Sequence, residues 1–273
     1  MNVRRGLRLA LPLGISALFL SRLLVKDARL FTAIANDRVL NAIASVCKLV
    51  ALLGGAIAGW VSARSFDDRS VIRSAWGLTA AWLACFFTGQ LVLSFYEDLI
   101  GLTPPVPSAG DLFFLVGYVF AIAAVIRFIQ AYRASGFPLG QARDHLLVAL
   151  GVTVLFALVG VRVLVPMVLA PEPILRRCLN VGYPLLDFIL VCPTLVLLRI
   201  TLPFRGGRVW AIWAALLAGI AFFTSGDVLS ADVTPLAAEG VPTLVHLLFI
   251  LGYGYCGYGA FLQYELVAAE NAA

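Results

Sequence analysis

A chain of 273 residues that is 62% hydrophobic and only 13% charged carries more apolar surface than one soluble core can hide. Its mean hydropathy of +0.97 comes from runs of about 20 apolar residues, the length that crosses roughly 30 Å of hydrocarbon as a helix. These runs lack strand alternation, which excludes a membrane barrel. The formal charge of +5 is scattered over short segments rather than gathered in a patch, so the arginines read as topology determinants and nucleic acid is not an expected partner.

In chain order, eight spans are expected at about 7–25, 40–63, 75–96, 112–132, 146–169, 180–200, 209–229 and 243–264. The expected fold is all-α, a single integral membrane domain over 1–273 built from repeated helical hairpins. The first span follows Arg4, Arg5 and Arg8 and has the shape of a signal peptide, but no small-residue cleavage site ends it, so it reads as an uncleaved span. A seven-span reading, with residues 1–38 along the membrane surface, stays open.

With eight spans, one side collects Arg4, Arg5, Arg8, Arg64, Arg69, Arg73, Arg127, Arg133, Arg143, Arg199, Arg205 and Arg208. The other side holds Arg22, Lys26, Arg29, Arg38, Arg176 and Arg177, with Glu97, Asp98, Asp111, Asp227, Asp232 and Glu239. The positive-inside bias therefore places both termini in the cytoplasm.

The third span reads Trp76, Phe86 and Gly89-Gln90; the seventh, 137 positions later, reads Trp213, Phe223 and Gly226-Asp227. The following helices match at a spacing of 135, Gly117-Tyr118 against Gly252-Tyr253, and Gly182-Tyr183 repeats the pair in the middle hairpin. Because 137 residues cover four helices, such a repeat is parallel.

An ionisable side chain inside a span costs about 3 kcal/mol on insertion scales, so each one should face the bundle interior, a cavity or an interface. Asp187 is the deepest, roughly 10 Å into a span counted from Asn180. Gln90, Asp111, Asp187 and Asp227 are expected to line one pocket open to the outer side, rimmed by Tyr118, Tyr183 and Tyr253. As a binding site it suits a small ligand, a cation or a proton. The plainer alternative makes Asp111 an N-cap, with Ser108 as a competing cap, and Asp227 a wetted helix end. Lys48 and Arg162 are also intramembrane by position, and either is a candidate partner for Asp187.

No metal, cofactor or catalytic motif emerges. His145 and His246 fall at opposite membrane faces, the five cysteines lack CxxC spacing and read as small packing residues, and the last span has no lysine for a retinal Schiff base. Enzymatic activity is not expected.

Several strings carry a resemblance. Tyr96-Glu97, Pro105, Pro107-Ser108, Asp111, Phe113-Phe114-Leu115 and Gly117-Tyr118 are followed by Gly182-Tyr183-Pro184-Leu185-Leu186-Asp187, Gly226-Asp227 and Leu251-Gly252-Tyr253. From Arg73 to about Gln263 the chain resembles the N-terminal membrane-integral region of bacterial signalling proteins that precedes a cytoplasmic GGDEF, GGDEF-EAL or histidine kinase output domain. Gly89-Gln90 stands where a Gly-Asp is expected, and an output domain is not expected within the residues up to Ala273. The resemblance implies a sensory or regulatory module of the bacterial inner membrane relaying to a cytoplasmic or membrane partner, and the module is expected to stand alone. The alternative is a small transporter or channel-like protein with Asp187 as its coupling site. Polar residues confined to the outer half of the spans favour the first.

Overall fold

The computed structural model describes residues 37–136, 142–169, 171–231 and 241–270, and these residues are helical throughout apart from short connections. The first expected span, 7–25, lies outside the described residues. Helix α1 is Asp37–Arg64; α2 is Val71–Ser94, prolonged by a π-helical segment, Phe95–Ile100; α3 is Ala109–Ala134. Helix α4 joins Ala142–Val159, a π-helical segment Gly160–Leu164 and a final turn Val165–Leu169. The last three are α5, Ile174–Ile200, α6, Arg208–Ala231, and α7, Val241–Glu270. All seven are long and apolar enough to cross a membrane, so the chain is a multi-pass integral membrane protein.

Six of the helices close a ring. Helix α1 packs on α2, α2 on α3, α3 on α5, α5 on α6, α6 on α7, and α7 returns to α1. Helix α4 stands outside, packed chiefly on α5, and turns Leu146, Leu150, Leu155, Leu158 and Val161 outward. Exposed leucine and valine along a spanning helix face lipid chains rather than water.

Aromatic rings fill the middle of the ring. Phe86 of α2 lies edge-on to Tyr118 of α3, Phe223 of α6 and Tyr253 of α7, with centroids 5.2, 6.1 and 6.1 Å away. Toward the arginine-rich end, Phe128 is held between Trp76 and Trp213 at 5.0 and 4.8 Å. Edge-to-face pairs at these distances add attraction beyond their buried area. In lipid, helices associate by close packing, so small residues sit where helices cross. At the α1–α7 crossing, Gly55 and Gly257 meet: a Cβ on Gly257 would fall 2.6 Å from the carbonyl oxygen of Ala51, and one on Gly55 would fall 2.7 Å from the Cα of Gly257.

Gly257→Ala therefore forces α1 and α7 apart and is expected to destabilise the bundle by about 1–3 kcal/mol, the usual cost of overpacking. Gly254→Ala, where a Cβ meets nothing within 4 Å, is the matched control. Thermal unfolding of the two purified variants in one detergent checks the difference.

Candidate functional site

The loop between α2 and α3 delivers the first site residue. Ser108 is the N-cap of α3, its hydroxyl accepting from the Asp111 backbone N–H at 3.3 Å, while Asp111 Oδ2 accepts from the Ser108 N–H at 2.6 Å and from its hydroxyl at 2.9 Å. This is a reciprocal capping box with aspartate in the third helical position. Of the two caps the sequence left open, Ser108 takes the role, and Asp111 keeps its second oxygen for another contact.

That contact crosses to α5. The Tyr183 hydroxyl donates to Asp111 Oδ1 at 2.7 Å, and deeper in the bundle the Tyr118 hydroxyl of α3 donates to Asp187 Oδ1 of α5. Helical periodicity sets up the pairing. Asp111 and Tyr118 are seven residues apart on α3, Tyr183 and Asp187 four apart on α5, and both spacings return to the same face. Each helix thus offers one tyrosine and one aspartate to the other, in opposite order along the seam.

The deeper pair continues into α6. The Tyr118 oxygen lies 3.5 Å from Asp227 Oδ2, so one phenol touches two carboxyl groups. Asp187 is fully buried at 0% exposure and Tyr118 at 2%, whereas Asp111, Tyr183 and Asp227 are half-buried. Exposure therefore falls from the α2–α3 loop end to Tyr118 and Asp187, with Asp227 still half-buried beside them. Tyr253 of α7, 5% exposed, lies within electrostatic reach of both Asp187 and Asp227 and stacks on Phe249 at 5.8 Å.

Six of the seven candidate residues, Asp111, Tyr118, Tyr183, Asp187, Asp227 and Tyr253, come together in this way. Gln90 is buried and donates to the Ser94 hydroxyl at 3.2 Å, one turn along its own helix. Asp187 sits deeper than the sequence suggested: α5 begins at Ile174, six residues before Asn180, which puts the carboxyl about 20 Å along the helix. Pro184 and Pro193 flank it within α5, each removing a backbone N–H from the helix ladder.

The groups that adjoin Asp187 are Tyr118, Asp227 and Thr224. Neither basic candidate partner is among them. Lys48 is buried on α1 in the field of Glu97, Asp98 and His246, and Arg162 is exposed on the outlying α4. Thr224 is the site residue that sequence reading missed; its signal was its place one turn before Asp227. All five cysteines are free, and His145 has no described side chain.

Compared with known proteins, the chain matches no family model, no curated protein and no solved structure.

Tyr118→Phe deletes the donor and leaves a buried carboxyl oxygen without its partner, which costs about 1–3 kcal/mol. Tyr183→Phe deletes the equivalent bond at a half-buried position and is expected to cost less. Paired thermal melts of the two variants give the order.

Proposed function

We propose that the chain is a sensory or regulatory membrane module whose polar cluster takes a small ligand, cation or proton from the non-cytoplasmic side. The observation that carries this reading is the reciprocal Tyr–Asp pairing between α3 and α5, which gives the bundle a contact that an incoming charge can rearrange. Gln90, retained from the sequence reading, stands as a further pocket candidate on α2.

The arginine distribution supports an orientation in which the α2–α3 loop faces outward and both termini lie in the cytoplasm, and the resemblance to bacterial signalling proteins supports the bacterial inner membrane. Parallel repetition of the α2–α3 and α6–α7 hairpins is supported by matching contacts: a Cβ on Gly117 would meet Phe86 at 2.6 Å, and one on Gly252 would meet Phe223 at 2.7 Å. The resemblance to the membrane regions of GGDEF, EAL and histidine kinase proteins supports signalling to a cytoplasmic or membrane partner as the output. A ligand can drive such an output only by binding one helix arrangement more tightly than the other.

A second reading, a transporter or channel-like protein with Asp187 as its coupling site, is favoured by the two prolines that each remove a backbone N–H from α5 on either side of that carboxyl. It predicts uptake by proteoliposomes that Asp187→Asn abolishes.

Spin labels at Arg133 and Arg205, both exposed at the arginine-rich end, test the first reading. The distance distribution between them is expected to differ between the wild type and Asp187→Asn. Identical distributions, with intact folding, reject relay from the site to that end of the bundle.

A further inference from the structure

The reading above leaves the occupant of the site open, and the inference here rests on that reading and names the occupant. Two buried side-chain oxygens at the cluster have no hydrogen-bond partner: Asp187 Oδ2 and Thr224 Oγ1. Thr224 is 8% exposed, and its hydroxyl adjoins the Asp187 carboxyl. Buried polar atoms are rarely left unmatched, because each forfeits its hydration for nothing in return. Here two such atoms stand beside a second carboxyl, on Asp227, and beside a phenol whose single proton is already given to Asp187 Oδ1. Thr224 brings the one free O–H of this group; the other free valences, on two carboxyl groups and a phenol, are lone pairs on oxygen. What is missing is a positive charge.

The chemistry of the donors narrows the charge. They are carboxyl, hydroxyl and phenol oxygens, which suit hard cations and not the transition metals that prefer imidazole or thiolate. Space narrows it again. Aromatic rings crowd this level, with Phe86 at 5.2 Å and Tyr183 at 6.2 Å from the Tyr118 ring and Phe114 at 6.4 Å from Tyr183, which favours a small ion over an organic ammonium group. Divalent ions fit poorly: Ca2+ wants about six to eight oxygens, and Mg2+ keeps several of its waters. A single positive charge, with one proton retained on the carboxyl pair, neutralises the group within the bundle.

We propose that Asp187 and Asp227, with the Thr224 hydroxyl and the Tyr118 oxygen, bind a bare monovalent metal cation of the size of Na+, which enters past the half-buried Asp111, Tyr183 and Asp227.

Thermal unfolding of the purified full chain at constant ionic strength, with NaCl replacing choline chloride stepwise, measures the binding directly. The melting temperature of the wild type is expected to rise and saturate with Na+. In Thr224→Val, which keeps the shape and both carboxyl groups, the half-saturating concentration rises about tenfold, and Thr224→Ser restores it. Asp187→Asn and Asp227→Asn remove the Na+ dependence. Should the aspartate variants fail to fold, 23Na line broadening on the wild type against Thr224→Val keeps the comparison. A wild type that melts identically in Na+ and choline overturns the proposal, as does a shift that follows pH alone, saturation by Ca2+ or Mg2+ below the Na+ range, or an unchanged midpoint in Thr224→Val. The two readings fail separately: a label distance that responds to Asp187→Asn without any Na+ effect removes the cation and keeps the module, and Na+ binding with a fixed distance does the reverse.

Discussion

A carboxyl group held away from water inside a helical bundle must be matched by a donor or a charge, and the placement of Asp187 follows from that requirement. Its first match is the Tyr118 hydroxyl, contributed by a different helix, so the chain must bring α3 against α5 to satisfy it. The same two helices meet again one level nearer the loop end, with donor and acceptor exchanged between Tyr183 and Asp111. Two bonds of opposite sense fix both the height and the rotation of one helix against the other, which a single bond does not.

The surrounding structure holds those four side chains in place. Phe86 presses its edge on the Tyr118 ring and is itself fixed by Phe223 and Tyr253. Gly117, one residue before Tyr118, allows α2 to come close enough for that contact, since a side chain there would collide with Phe86. At the loop end, the capping box orients Asp111 through one oxygen and frees the other for Tyr183. One aspartate thus begins a helix and anchors its neighbour, and the two roles draw on different lone pairs.

Much of this was legible in the chain. Runs of apolar residues announced the spans because a membrane imposes length and composition together, and the rarity of charge inside them singled out Asp187. Four of the candidate site residues, Asp111, Tyr118, Tyr183 and Asp187, converge because tyrosine and aspartate recur at helical spacing on α3 and α5, a local property, whereas Asp227 and Tyr253 arrive through the order of the helices. What sequence hid was partnership. Asp187 had Lys48 and Arg162 as candidate partners, yet it meets Tyr118 and Asp227, since the neighbours of a helix face depend on the order of helices around the ring and not on charge. Gln90 looked equivalent to Asp227 by position, but its amide finds Ser94 a turn away on its own helix. Thr224 escaped notice because a threonine in a membrane helix ordinarily satisfies itself on the preceding turn, as Thr194 does with the Leu190 carbonyl.

Helix α4 gives the arrangement a mechanical side. Within the ring, the α3–α5 interface is the most thinly packed, and it is the one that the two tyrosines bridge. Helix α4 leans on α5 from outside and shows lipid most of its surface. Lateral pressure from the acyl chains on α4 therefore bears on α5, and through α5 on the seam, so that the thickness and tension of the bilayer load the same contact that holds the buried carboxyl.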